Sequence, residues 1–428
     1  MNKEILKLAI PNIITNITIP LLGLVDIALL GHLNSPVYLA AVALGSMIFN
    51  ILYWGMNFLR MSTTGFTSQA YGAKNNEEIA FNLNRSIIVG ILIGLLLISL
   101  QYVIINISFS VLSAETETEK FASSYFLYRI WAAPASLALY GFYGWFIGMQ
   151  NSKYPLIIAI SINIINIIIS YILIYHLNMN SDGAAIGTVV AQYSGALISV
   201  VLLQKKYKKY LKISYLLSSF KKSAFAELFK VNTNIFIRTL GIMLVMTFFT
   251  SVSANKSSLV LDANTILFQF YIFFSYYIDG FAYATESLTG KYKGRRDKLN
   301  LLKVLKKIFL WSFYSSLAFS VVYFLFGNSI LHILTSQQNI VDYASKYFFW
   351  IWALPLVSFA AFIWDGVFVG ITASKQMRNS MLIASLFVFF PVYYLFEKTI
   401  GNHALWLAML LFLFTRGIIQ TIQFKKII

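Results

Sequence analysis

Asn12, Asn16, Ile19, Gly23 and Asp26 recur at spacings of four, three, four and three, which puts them on one face of a helix. That face is polar, sterically open and carries a carboxylate. It lies in an apolar run, where an ionised side chain costs roughly 3 kcal/mol on insertion scales and needs a partner, water or a function. Pro20, six residues before Asp26, removes one backbone hydrogen bond and lets the helix bend. Desolvation favours the neutral acid, which suits Asp26 to binding a proton near neutral pH. The competing reading is a structural aspartate held by Asn163 or Asn166.

A second stripe joins Tyr276, Asp279, Tyr283, Glu286 and Gly290 at spacings of three, four, three and four. Two carboxylates and two phenols on one face suit an organic cation, through charge and through the ring quadrupole. The alternative pairs Asp279 and Glu286 with Arg60, Arg238 or Arg416; Glu286, nearer the end of its run, reads as interfacial. Asp365 is a third acid within an apolar run, readable as a cavity charge or as the partner of an arginine. Asn50, Trp54, Asn57, Met61, Thr64 and Ser68 form a further helical stripe that would either line a cavity or join helices. His32, His176, His332 and His403 fall near the ends of apolar runs and form no metal or nucleophile constellation. Cysteine is absent, so thiolate metal sites and disulfides are excluded, and no cofactor is expected.

The elements that must carry these groups are apolar helices. Apolar residues make up 58% of the 428 and charged residues 11%, against about half and about a quarter in a soluble domain. Twelve runs are long enough to cross a bilayer, at about 9–32, 37–60, 86–112, 123–147, 155–176, 184–204, 226–252, 259–288, 307–334, 344–372, 379–396 and 403–424. The first carries Asp26 and lacks a small-residue cleavage site, so it reads as a retained span rather than a secretory signal.

Arg129-Ile-Trp-Ala-Ala-Pro134 recurs as Trp350-Ile-Trp-Ala-Leu-Pro355, and Gly144, Phe146, Gly148, Ser152 and Lys153 recur as Gly366, Phe368, Gly370, Ser374 and Lys375, 221 or 222 residues on. In that alignment Asp365 faces Tyr143. The spacing is close to half the chain and points to duplication of a six-span unit, hence to parallel repeats and a transporter. Lysine and arginine crowd alternate connections, among them 205–224 and 291–307, which places both termini in the cytoplasm. The same sorting explains the net charge of +17 without nucleic acid. The expected organisation is all-α and integral to the membrane. Residues 1–204 form one six-helix bundle, 205–224 a basic cytoplasmic linker and 225–428 a second bundle, around a central cleft.

At these residues the sequence resembles the multidrug and toxic compound extrusion family, in its DinF-type branch. The resemblance covers nearly the whole chain. Its most specific pieces are IPLLGLVDIALLGHL (19–33), SPVYLAAVALGS (35–46) and RMSTTGFTSQAYGAKN (60–75) in the first half. The second half adds NIFIRTL (234–240), DGFAYATESL (279–288), WDGVFVGI (364–371), MRNSM (377–381) and GNHALWLAM (401–409).

The resemblance implies twelve helices in two lobes that alternately open a cavity outward and inward. It implies export of organic cations or amphiphiles driven by protons or, in other branches, sodium. Asp26 would be the proton-binding carboxylate, Pro20 the hinge, and Asn163, Asn166 and Thr188 the polar positions around it. Asp279 and Asp365 would match cavity positions of the second lobe, and the helical stripes described above add Asn57, Tyr276 and Tyr283 to the expected lining of the substrate cavity. One departure stands out: where some relatives carry a second aspartate in the fifth helix, this chain has Ser170. A monomer in the cytoplasmic (inner) membrane is expected. The nearest rival is a lipid-linked oligosaccharide flippase, which would turn Arg60, Arg129, Arg238 and Arg416 toward a pyrophosphate. Neither an enzyme's nucleophile and base nor a channel's filter loop appears.

Overall fold

The computed structural model describes residues 1–33, 35–112, 115–212, 215, 219 and 222–427, apart from the side chains at 19, 21, 22 and 222–224. Among these residues there are twelve helices long and apolar enough to span a membrane, and no strand. They are α1 (Asn2–Gly31), α2 (Pro36–Gly72), α3 (Asn76–Ser99), α4 (Thr116–Gly148), α5 (Lys153–His176) and α6 (Asn180–Tyr210). The second half supplies α7 (Phe225–Lys256), α8 (Ser258–Gly294), α9 (Lys298–Leu334), α10 (Phe348–Gly370), α11 (Ser374–Ile400) and α12 (Asn402–Ile427).

Caps, rather than the edges of apolar runs, set the helix ends. The apolar pattern starts the third and ninth spans at 86 and 307, yet α3 and α9 begin at Asn76 and Lys298. Asn75 accepts the N–H of Glu78 at 3.1 Å and Asp297 accepts that of Asn300 at 3.0 Å, which satisfies donors that a helix start leaves open. Hydrogen bonds from the Asn300 side chain and backbone hold the Asp297 carboxyl below the usual carboxylate range. Its cap is therefore complete above about pH 4 and is lost as pH falls through that depressed value. Just before each cap, Lys74 and Arg296 both have φ of 58°. A non-glycine residue there costs about 1 kcal/mol or more. The same turn is thus kept at both copies despite its strain.

Three spans differ from the apolar pattern. α2 breaks at Met56–Asn57, where the Met56 and Asn57 amides reach back three residues to Tyr53 and Trp54 instead of four. The stripe from Asn50 to Ser68 therefore does not continue as one helical face: the tight turn rotates its second part. α8 runs to Gly294, so Lys291 and Lys293 belong to a helix rather than a loop; Lys291 pairs with Glu4, and Lys293 donates to the Ile371 carbonyl at 2.5 Å. α6 ends in a 3-10 turn at Lys208–Tyr210, so the start of the expected linker 205–224 is helical. Within that linker, residues 213, 214, 216–218, 220 and 221 lie outside the described residues.

The chain forms two compact units, one of residues 14–228 and the other of 1–13 with 229–428. Residues 1–13 thus pack with the second half, whereas the sequence reading assigns them to the first bundle. The contacts responsible are the Lys291–Glu4 ion pair and the approach of Gly280 to Ile13, where a Cβ would lie 2.3 Å from Ile13 Cγ1.

Inside each unit the same helices pack together. α4 lies against α2 and α3 in the first unit, α10 against α8 and α9 in the second, and α5 pairs with α6 as α11 does with α12. The repeated glycines set these crossings. A Cβ on Gly144 would fall 2.4 Å from the Arg60 carbonyl oxygen, and one on Gly366 would fall 2.4 Å from the Ala282 carbonyl oxygen. Gly148 and Gly370 likewise meet Thr67 and Thr289. Each pair of positions is separated by the duplication's 222 residues. Small residues at such crossings let backbones approach closely, which drives helix association in lipid.

Gly144→Ala and Gly366→Ala should each destabilise the protein by about 1–3 kcal/mol through overpacking. Gly23→Ala, whose Cβ meets nothing within 4 Å, should be neutral or stabilising. Thermal unfolding in detergent, read by size-exclusion of the heated protein, checks this; equal stability of Gly366→Ala and the parent chain contradicts the packing argument.

Candidate functional site

Asp26 is 2% exposed on α1 within the first unit. It enters no ion pair among the described residues, and its Oδ1 accepts no hydrogen bond from a protein donor there. Leu29 and Leu30, on the next turn, pack into a cluster with Phe49, Tyr53, Tyr125 and Phe126. Tyr175 of α5 donates to the Leu29 carbonyl at 2.6 Å and fixes this turn of α1.

Arg129 stands within electrostatic range of Asp26 without touching it. Its guanidinium donates to the Tyr125 hydroxyl and, at 2.9 Å, to Ser46 Oγ of α2. It also sits 4.8 Å from the Phe49 ring centre. Arg129 is therefore anchored by α2 and α4, not by the acid. Position explains part of this. It precedes the 3-10 turn Ile130–Ala132, which leads into Pro134, whereas the second copy passes through Pro355 as unbroken helix.

Asn163 donates to the Thr18 carbonyl at 3.0 Å, two residues before Pro20, and so ties α5 to the stretch of α1 where the proline removes a bond. Asn166 donates to Ser170 at 3.4 Å and to Thr188 at 3.2 Å, and Thr188 in turn donates to the Ala184 carbonyl at 3.1 Å. Neither asparagine bonds Asp26, which removes the structural-aspartate reading in the form given above. Asn166 Oδ1 is a second buried acceptor without a protein donor. Asn57 sits at the break in α2 and accepts from Arg60 Nε at 3.2 Å.

In the second unit, Asp365 departs from the expectation that it lines a substrate cavity. Arg238 and Arg416 both pair with its Oδ2, the latter at 2.6 Å, while Gln420 donates to its Oδ1 at 2.6 Å. The carboxylate is 6% exposed and charge-compensated from α7 and α12. Burial with two guanidiniums and an amide is the arrangement that makes an internal charge tolerable, and it is the arginine pairing that the sequence reading held open for this acid. The α8 stripe fares differently: α8 is unbroken from Ser258 to Gly294, so Tyr276, Asp279, Tyr283 and Glu286 do share a face. Asp279, Tyr276 and Tyr283 are partly buried, and Tyr276 lies within electrostatic range of Asp279. Glu286 is 2% exposed, within a helix that runs on to Gly294.

Sequence reasoning singled out Arg129 as an intramembrane charge but did not connect it with Asp26. It missed Tyr125, Ser46 and Gln420 altogether. One signal was present: the repeat carries arginine at 129 and tryptophan at 350, an asymmetry on the side that holds Asp26.

Residues 11–172 and 235–395 match the MatE family, one block in each half. The chain is 38% identical over 417 residues to DNA damage-inducible protein F of Escherichia coli (strain K12), covering 97% of this chain and 90% of that protein. Probable multidrug resistance protein NorM of Thermotoga maritima is 24% identical over 354 residues, covering 80% of this chain and 74% of the relative. A crystal structure of MATE in the bent conformation aligns over 99% of this chain and 95% of its own with a TM-score of 0.90 at 20% identity, which establishes the fold. With both halves matched and the architecture shared, the chain belongs to the MatE family, whose members are multi-pass secondary transporters and not enzymes.

Proposed function

We propose that this multidrug transporter is a proton-coupled antiporter that exports cationic or amphiphilic organic compounds, with Asp26 carrying the proton. The observation that bears the reading is an acid 2% exposed, outside every ion pair among the described residues, with one oxygen lacking a protein donor. Such a group is costly as an anion and cheap as an acid, so it exchanges a proton whenever access to water changes. Pro20 is the bend in α1 and Asn163 the tie on its flank. Protonation weakens cargo binding, and by linkage cargo weakens proton binding by the same free energy.

Asp279, with Tyr276 and Tyr283 along α8, is the cation-facing acid of the second unit, and Asn57 supplies an amide at the break in α2. Asp365 is excluded from that role by its two guanidiniums. The division into a first bundle, a basic linker at 205–224 and a second bundle accompanies a monomer in the cytoplasmic membrane with both termini inside; the sorting of lysines supports that orientation. A lipid-linked pyrophosphate cargo is disfavoured because Arg238 and Arg416 are taken up by Asp365, Arg129 by Tyr125 and Ser46, and Arg60 bonds Asn57. Sodium coupling is the second reading, favoured by the orphaned Asn166 Oδ1, since sodium takes several oxygens at once.

In vesicles loaded with a fluorescent organic cation, a pH jump should drive exchange and a sodium jump should not. Asp26→Asn should abolish the pH-driven component while cargo still binds; pH-driven transport at parental rate in that variant removes Asp26 from the mechanism. Asp365→Asn should cost about 3–5 kcal/mol of stability by leaving two buried guanidiniums uncompensated. Asp279→Asn should instead weaken cation binding about tenfold, or about 1.4 kcal/mol. Thermal unfolding beside dye binding separates the two acids, and the opposite pattern reverses their assignment.

A further inference from the structure

We infer that Arg129 is a fixed internal counter-charge: because it is held close to Asp26 but never bonded to it, protonating Asp26 turns this part of the first unit from neutral to positive and repels a bound organic cation. The inference rests on the reading of Asp26 as proton carrier and adds a cause for the coupling. Loss of a carboxylate alone would only remove an attraction. With a guanidinium beside it, the same proton creates a repulsion.

Three observations carry this. First, Arg129 is anchored independently of the acid. Ser46 and Tyr125 take its donors and the Phe49 ring takes its face, so the positive charge stays in place whichever form Asp26 adopts. Second, the two units handle the same problem in opposite ways. Asp365 is bonded directly by two arginines and an amide, which locks its charge. Asp26 has an arginine within electrostatic range, no ion pair and one oxygen without a protein donor among the described residues, which leaves its proton exchangeable.

Third, the repeated element keeps its helix-packing glycines in both copies but its arginine in only one. Arg129 aligns with Trp350, which donates to His403 at 3.0 Å. The guanidinium is therefore confined to the unit that holds Asp26, whereas a role in joining the helices of the repeat would be needed in both.

The other polar and titratable groups around the pair leave this charge balance standing. Tyr53 on α2, Tyr125 on α4, Tyr175 on α5 and Tyr193 on α6 bring phenols rather than carboxylates or ammonium groups. Asp182 on α6 accepts from Ser124 at 3.0 Å, Arg60 on α2 bonds Asn57, and His32 on α1 is exposed with its Nδ1 at 2.7 Å from the Ala28 carbonyl. Neutral phenols add no charge that could cancel that of Arg129.

Tetraphenylphosphonium binding to the full chain in nanodiscs, compared at about pH 5 and about pH 8, tests the inference. The parent chain should bind weakly at the lower pH. Arg129→Gln should bind about tenfold more tightly there, about 1.4 kcal/mol, because the protonated unit is then neutral. Arg129→Met is the alternative should the glutamine variant fail to fold, and Arg129→Lys should restore the weak binding of the parent. A residue that merely props helices apart would lower affinity at both pH values on removal. Should neither charge-removing variant bind more tightly at low pH while Asp26→Asn binds weakly at both, the counter-charge is overturned and the proton role of Asp26 survives. Should Asp26→Asn keep the parent's pH dependence, the proton reading itself fails and this inference with it.

Discussion

A charge inside a membrane helix must be met by another charge, by a donor or by exchange of a proton, and the buried acids of this protein divide along that line. Asp365 is met in full: two guanidiniums and an amide surround it and hold α7, α10 and α12 together. Asp26 is not met. An arginine stands nearby with its donors turned to Ser46 and Tyr125, and one carboxylate oxygen has no protein donor. The first arrangement stabilises a single charged state; the second leaves the acid without a directly bonded counter-charge, which is the feature on which the proposed proton role rests.

The scaffold that permits this contrast is a duplicated set of helix crossings. Gly144 and Gly148 bring α4 onto the backbone of α2, and Gly366 and Gly370 bring α10 onto α8 in the same manner. The turns at Lys74 and Arg296, strained alike, start α3 and α9 from equivalent side-chain caps. Packing and turns are therefore held in common, while the charged side chains differ between copies. Duplication supplied the frame, and specialisation went into the few positions that hydrocarbon penalises most.

α1 is the element in which these features meet. Its first residues pack with the second unit through Glu4 and Ile13, and its remainder, with Pro20 and Asp26, belongs to the first. Asn163 holds the Thr18 carbonyl just ahead of the proline and Tyr175 holds the Leu29 carbonyl just beyond the acid. The acid thus sits in a helix whose backbone is tied on both sides of it, at the turns where proline has loosened the hydrogen-bond ladder.

Apolar run length, loop charge and the repeated RIWAAP/WIWALP element were enough to indicate twelve spans, a duplication and a transporter, because each depends on composition along the chain; the family was legible only through the resemblance of motifs such as IPLLGLVDIALLGHL and WDGVFVGI. The face holding Asp26 and the α8 face holding Tyr276, Asp279 and Tyr283 were legible for the same reason: helical periodicity is local. Helix ends were less so, since a single Asn75 or Asp297 side chain outweighs an apolar window in deciding where a helix starts. What periodicity could not supply is partnership across helices. That Asp365 belongs to Arg238 and Arg416, that Arg129 is anchored by Ser46 and Tyr125 instead of by Asp26, and that residues 1–13 pack with the second half all depend on three-dimensional distances between segments remote in sequence. Only the tertiary structure sets those distances, and they decide which intramembrane charges are directly paired and which are not.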